Sequence, residues 1–255
     1  MRDKSHFDVI LVINGQTISS NYLSKLEIKY KPTKKILYIW DSIKNRNNLL
    51  KNLIYFDHVF SFDPVDSIKY NFHFFPLFYT TSIDPSINFT IHHDFAFIGT
   101  MHSDRYKLLK TIFESISNYN VYKYFYLQSR YVFYFKRLLD RNFSKAKLND
   151  FHFSPLNYSQ LIEVMSSTKI VIDIENCSQN GLTIRTIECL GLNKKLITTN
   201  KDIANYDFYN PNNILIIDRD KIHIPKHFIH SEYMQPSNEI KMKYSLNSWL
   251  NHLLK

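Results

Sequence analysis

The residues best suited to chemistry fall between Glu175 and Glu188, in the run ENCSQNGLTIRTIE. The preceding KIVIDI is a β-branched run of the kind buried on both faces of a sheet. The following LTIRTIECLGL carries Leu182, Ile184, Ile187, Leu190 and Leu192 mostly on one helical stripe, with Gly191 near its end. Strand, polar loop and helix in that order place the loop at the carboxyl edge of a parallel sheet, where α/β folds bind ligands. The first N–H groups of the helix have no internal partner and attract anions. Gly181 allows close backbone approach, and Thr183 can cap the helix or bind phosphate. Arg185 puts a cation in the first turn, where it is slightly unfavourable unless an anion sits beside it. Glu175 at the strand end and Glu188 on the helix can accept hydrogen bonds from hydroxyls. Gln179 and Leu182 complete the loop. A phosphate joined to a sugar is the ligand this pattern suggests. The competing reading is a βα unit that only packs a core, because one glycine before a helix is a weak fingerprint.

A second run, FAFIGTMHSDRYKLL, repeats the arrangement: strand, Gly99, His102, then a helix from about Asp104, capped by Ser103 or Asp104. Arg105 sits in its first turn as Arg185 does in the later unit, either for phosphate or as a solvated side chain. Glycine usage adds weight. The chain has four glycines in 255 residues, where ordinary usage predicts about eighteen. Gly15, Gly99 and Gly181 each follow an apolar strand-like run, so backbone need explains their retention.

The elements that must hold these residues form two α/β sets. Residues 8–14, 35–40 and 58–62 read as strands, with helices over 19–29 and 45–56 and a fourth extended run over 69–78. Residues 81–93, with Pro85, break the pattern and serve as a linker. Strands over 95–98, 122–127, 169–174, 194–200 and 213–218 follow, with a helix over 158–166 and a last one over 239–254. The domain reading is 1–80, a linker at 81–93, 94–235, and a C-terminal helix in 236–255. The fold class is α/β, two Rossmann-like domains facing a cleft, the first one short. No repeat of fixed length is visible.

Composition bounds the class. Hydrophobic content of 44% and aromatic content of 16% exclude disorder. Two cysteines, Cys177 and Cys189, have no metal-type spacing and suit a reducing cytoplasm. The N-terminal apolar run is too short for a signal peptide, and no stretch has the length of a membrane span. His6, His92, His93 and His102 lack ligand spacing, so no metal is expected. A formal net charge of +9 admits nucleic acid, anionic lipid or anionic substrate as partners. No nucleic-acid motif is present, and nucleic acid is not the expected partner.

The stretch ENCSQNGLTIRTIECLGLNKKLITTNKDIANYDFYNPNNILIID resembles the C-terminal domain of bacterial GT-B-type glycosyltransferases of lipopolysaccharide and capsular polysaccharide biosynthesis. LYIWDSIKN and FAFIGTMHSDRYKLL are similar to the same group, so the likeness covers most of residues 8–220. The resemblance implies that the second domain holds a nucleotide sugar and the first an acceptor, a saccharide or a polyprenyl- or lipid-linked one. It implies a metal-independent reaction with no cofactor beyond the donor. In that group a carboxylate on the helix commonly binds the donor's ribose or sugar, which points to Glu188. Retaining members often carry a more closely spaced glutamate pair than Glu175 and Glu188, so inversion is expected. The first half is short beside the group's usual acceptor domain, and the resemblance leads one to expect that an opening βα unit is missing.

Transfer of this kind needs a stabilised departing diphosphate and a base for the acceptor hydroxyl. Gly99, Arg105, Gly181, Thr183 and Arg185 suit the first role. Asp41, ending the strand KILYIW, is the leading base, with capping by Asp41 or Ser42 as the plain alternative. His102 is the second candidate, although a lone loop histidine is more often unreactive. Asp207 reads as a turn residue. Residues 121–147 carry Lys123, Arg130, Lys136, Arg137, Arg141, Lys145 and Lys147 against one acid, Asp140, with Tyr and Phe between them. That mixture suits an anionic membrane surface and a peripheral location at the inner face of the plasma membrane. A core strand and helix with solvated cations, or single-stranded RNA binding, are the alternatives. A non-catalytic GT-B-fold module, a sugar-nucleotide epimerase and a basic nucleic-acid binder stand behind the transferase.

Overall fold

The structure, a computed structural model, describes residues 7–45, 47–80, 90–102, 104–176 and 180–255. The chain divides into two compact units. The first comprises Met1–Phe78, Gln179–Leu182 and Leu246–Lys255; the second comprises Tyr79–Ser178 and Thr183–Ser245.

In the first unit four parallel strands, β1 (Val9–Ile13), β2 (Lys34–Ile39), β3 (His58–Ser61) and β4 (His73–Phe74), lie in the order β1-β2-β3-β4. β2 is the apolar run KILYI, and Leu37 and Ile39 join Val12, Ile43 and Leu49 in the core. Asn14 and Gly15 both take positive φ, 61° and 52°, in the turn that ends β1. Helix α1 (Ser20–Tyr30) starts where the Ser19 hydroxyl accepts from the Tyr22 amide.

Two elements differ from the sequence reading. Residues 45–56 are not an α-helix; among the described residues they form 3-10 turns over Ile43–Asn45 and Asn47–Tyr55. Asparagines crowd this stretch and are weak helix formers. Buried Asn52 ties it to the start of α1, accepting from the Ser20 hydroxyl and donating to the Ile18 carbonyl. The extended run expected over 69–78 begins instead with helix α2 (Pro64–Tyr70). Asp63-Pro64 starts that helix: the Asp63 carboxylate accepts from the Val65 and Asp66 amides, and proline at the first position has no amide to satisfy.

The second unit holds β5 (His93–Thr100), α3 (Arg105–Ser115), β6 (Val121–Tyr126), α4 (Arg130–Leu139), β7 (Phe151–His152), α5 (Tyr158–Ser166), β8 (Thr168–Asp173), α6 (Ile184–Gly191), β9 (Lys195–Thr198), β10 (Ile214–Ile216), α7 (Lys226–His230) and α8 (Asn238–Lys243). Its six parallel strands lie in the order β10-β9-β8-β5-β6-β7. Counted from β5, that is the order 3-2-1-4-5-6 of a Rossmann sheet. β8 is buried along nearly its whole length, as its β-branched sequence requires. A capping box between Asn157 and Gln160 sets the start of α5. Gly191 is not the left-handed C-terminal residue of α6; Asn193 takes that role at φ 54°.

The single helix expected over 239–254 is two, α8 and α9 (Leu246–Leu254). The break at Tyr244 and Ser245 is where the backbone turns to Tyr79, whose amide donates to the Tyr244 carbonyl at 2.9 Å. α9 belongs to the first unit, where the Trp249 ring meets the Tyr38 ring edge-on at 4.6 Å between centroids. The linker proposed for 81–93 falls mostly outside the described residues, and His93 already begins β5.

Candidate functional site

The strand order of the second unit creates one place where neighbouring strands run on to opposite sides of the sheet, between β5 and β8. Ligands of open α/β sheets bind outside the carboxyl ends at such a point. β5 ends in Gly99 and Thr100, with Met101 and His102 beyond; β8 ends at Asp173, with Ile174 and Glu175 beyond. The two chemistry-bearing runs of the sequence therefore meet at the switch point.

On the β8 side, the first turn of α6 is built by side chains. Asp173, nearly buried, accepts from the hydroxyls of Thr183 and, at 3.0 Å, Thr186. The Thr183 hydroxyl in turn accepts from the Thr186 amide at 3.3 Å. Of the two tasks the sequence allowed Thr183, capping is the one in place. Arg185, expected near phosphate, is held by two protein side chains. Its guanidinium bonds Glu188 one turn on and the Met165 sulfur on α5 at 2.9 Å. The pair is largely enclosed, with 15% and 8% of the two side chains exposed. Burial raises the Glu188 carboxyl above its usual range; the Arg185 charge opposes this and Asp173 adds to it.

On the β5 side, Arg105 is also turned inward. Its guanidinium donates to the carbonyl of Thr100 at 2.7 Å and to that of Ile174, tying the ends of β5 and β8 together. Its Nε is buried without a partner. Burial lowers its pKa, against the pull of Asp173 and Glu175. A first-turn arginine looks the same in sequence whether it meets water, phosphate or two carbonyls. The fold chooses the carbonyls, because both strand ends leave acceptors within its reach. Gly99 leaves room for this side chain: a Cβ there would lie 3.3 Å from the Arg105 guanidinium and 3.0 Å from the Phe97 ring.

A cation that the sequence reading missed lies along the same edge. Arg219, beyond β10, donates to both oxygens of Asp104 at 2.9 Å and to the Glu175 carboxylate at 2.8 Å. The other Glu175 oxygen accepts from the Thr199 hydroxyl beyond β9. Burial works against the Arg219 charge, but Glu175 and then Asp104 outweigh it and the net shift is upward. The signal for Arg219 was its place directly after the strand run NILIID. His102 sits beside this network, its pKa lowered to about 4 by burial, with the charges of Arg105 and Lys136 adding. It is a neutral imidazole near pH 7.

The remaining candidates stand in the first unit or outside the described residues. Asp41 lies at the carboxyl edge of the first sheet, where one carboxylate oxygen accepts from the Ser42 amide at 2.9 Å and the Asn45 side chain at 3.1 Å. These bonds hold the carboxylate within its own turn, and neither is an N-cap bond to an amide two or three residues on. Gly181 makes its close approach to protein: a Cβ there would lie 2.5 Å from the Phe62 ring and 2.9 Å from the Phe62 carbonyl. Beside it the Asn180 amide donates to Asp63 at 3.3 Å, and Leu182 is buried. Gln179 falls outside the described residues. Asp207 holds Lys243 and the Tyr244 hydroxyl, a structural duty. Among the described residues no group of three or more His, Cys, Asp or Glu is arranged to hold a metal ion.

No family model matches the sequence, and no curated protein matches it. Solved structures do match it. The crystal structure of a GtfA/B complex aligns over 95% of this chain at 10% identity and a TM-score of 0.50. HepE from Anabaena, in complex with UDP-glucose, aligns over 97% of this chain and 71% of its own, at 11% identity and a TM-score of 0.50. The fold is GT-B-like. The GT-B-like chain spans 56% of the length of the first of these structures. Identities this low bear on architecture, and the GT-B-like assignment agrees with the parallel sheet of each unit.

Proposed function

We propose that the chain is a glycosyltransferase that takes a sugar from a nucleotide-activated donor. The observation that carries this reading is the switch point between β5 and β8, with Gly99 and His102 on one side and Glu175 and Thr183 on the other. In the proposed reaction the acceptor oxygen attacks the anomeric carbon as the carbon–oxygen bond to the diphosphate breaks. The diphosphate leaves with the electron pair, and a base takes the acceptor proton. The backbone at Gly99 and the start of α6 is assigned to the diphosphate. Because Arg105 and Arg185 are held inside the fold, Arg219 is assigned the nearby positive charge. Glu175 and Glu188 are assigned the hydroxyls of ribose or sugar, and Asp41 the base, with His102 second. The reaction is proposed to be inverting and metal-independent, and the acceptor to be a growing surface polysaccharide or a lipid-linked saccharide. The UDP-glucose bound by HepE makes UDP-sugars the first donors to try.

Thermal unfolding against a panel of sugar nucleotides tests this. One nucleotide diphosphate sugar should raise the midpoint, and Arg219→Ala should remove the rise. Asp41→Asn should keep the rise and abolish transfer; full activity in that variant removes Asp41 from the base role. The enclosure of Arg105 and Arg185 favours a second reading, a GT-B-fold module that binds without transferring. Nucleotide-sugar stabilisation without turnover on any acceptor would support it, and interconversion of the donor sugar alone would point to an epimerase.

A further inference from the structure

Helix α4 turns its most apolar face outward. Val132 and Phe133 face the unit, where Phe133 is fully buried and meets the Phe151 ring at 5.2 Å, and Lys136 lies over the Phe143 ring. The opposite face carries Tyr131, Tyr134, Phe135 and Leu138, at helical offsets of three, four and seven, which are 86%, 56%, 64% and 82% exposed. Four large side chains on one stripe in water is not the pattern of scattered surface residues. Arg130 and Arg137 flank the stripe on the helix, and Arg141, Lys145 and Lys147 are exposed in the turns that follow. The helix RYVFYFKRLL contains no acid.

We propose that this face of α4 docks on an anionic lipid bilayer. Tyr131, Tyr134, Phe135 and Leu138 enter the headgroup region, and Arg130, Arg137 and Arg141 meet lipid phosphates. Charge selects the occupant. A second copy set against the same face would bring arginine against arginine with no acid on either helix, which costs rather than gains. A bilayer of anionic lipid supplies the negative charge and an apolar layer in one surface, and tyrosine suits its interface. The inference narrows the expectation for 121–147: β6 belongs to the core, and α4 with the turns after it makes the contact. It does not rest on the transferase reading.

Flotation of the full chain with phosphatidylglycerol vesicles and with phosphatidylcholine vesicles tests the proposal. The chain should float with the first, less so as salt rises, and not with the second. Tyr131→Ser with Leu138→Ser should weaken the partition about tenfold or more. Arg130→Glu with Arg137→Glu should weaken it at least as much at low salt. Both variants should unfold at the parent temperature, because the altered side chains are exposed, and should keep any response to sugar nucleotides. No binding to phosphatidylglycerol, or binding untouched by both variants, overturns the proposal. So does a lipid-free dimer lost in Tyr131→Ser/Leu138→Ser, or single-stranded RNA binding that only the charge variant loses while vesicle binding persists.

Discussion

His102 shows how a single side chain couples the candidate site to pH. Its folded pKa of about 4 lies below the unfolded value of about 6.5. Its contribution to stability is therefore complete above the unfolded value, shrinks as pH falls from about 6.5 toward 4, and is constant below that. Because the imidazole is only part-buried, solvent screens the effect, to about 1–2 kcal/mol. Urea unfolding of the parent and His102→Gln at several pH values should show a steeper loss in the parent across that window. Parallel curves would mean that the imidazole is not shielded as described. At Gly181 the constraint is steric. Its missing Cβ faces a ring and a backbone carbonyl of Phe62, and the carbonyl has little freedom to move. Gly181→Ala should cost about 1–3 kcal/mol, read as a drop in the unfolding midpoint. An unchanged midpoint would show that the loop relaxes at no cost.

Several helices in this chain begin where a side chain replaces a missing backbone partner. Asp63 is the clearest case: fully buried, it accepts the first amides of α2 and also that of Asn180. Asp63→Ala should destabilise by about 2 kcal/mol, more than a surface cap, because three amides lose their acceptor. Chemical denaturation measures this, and a loss within error of zero would mean that water replaces the carboxylate. Thr183 and Asn157 do the same for α6 and α5. The unit β8–α6–β9 was legible because its signals agree: a β-branched run, a polar loop, a threonine cap and an apolar stripe. Residues 45–56 and 64–70 were not, because Asn52 finds its partners far along the chain and Asp-Pro can end a strand or start a helix.

The whole molecule is organised by returns of the chain rather than by a single boundary. Residues 246–255 rejoin the first unit, where Trp249 and Leu253 are buried and Trp249 contacts Tyr38, Phe75 and Phe78. Truncation after Ser245 should therefore destabilise the first unit by at least ~3 kcal/mol, although the deletion lies at the far end of the sequence. Circular dichroism and thermal unfolding of the truncated chain measure the effect; a parent-like melting curve would show that α9 is dispensable. Among the described residues no helix is long and apolar enough to cross a membrane. The outward face of α4 is set by which of its faces the rest of the unit covers.

By itself the sequence determined that the chain is α/β, where most strands lie, and which two loops carry glycine, hydroxyl and charge. Those properties follow from side-chain period and backbone freedom, which are local. Only the tertiary structure decided that the two loops meet at one switch point, because strand order depends on which edges pair across long stretches of chain. It also decided which protein groups Arg105, Arg185 and Arg219 bond, since the partners of an arginine are set by the strand ends and helices packed around it, and no spacing in the sequence states them.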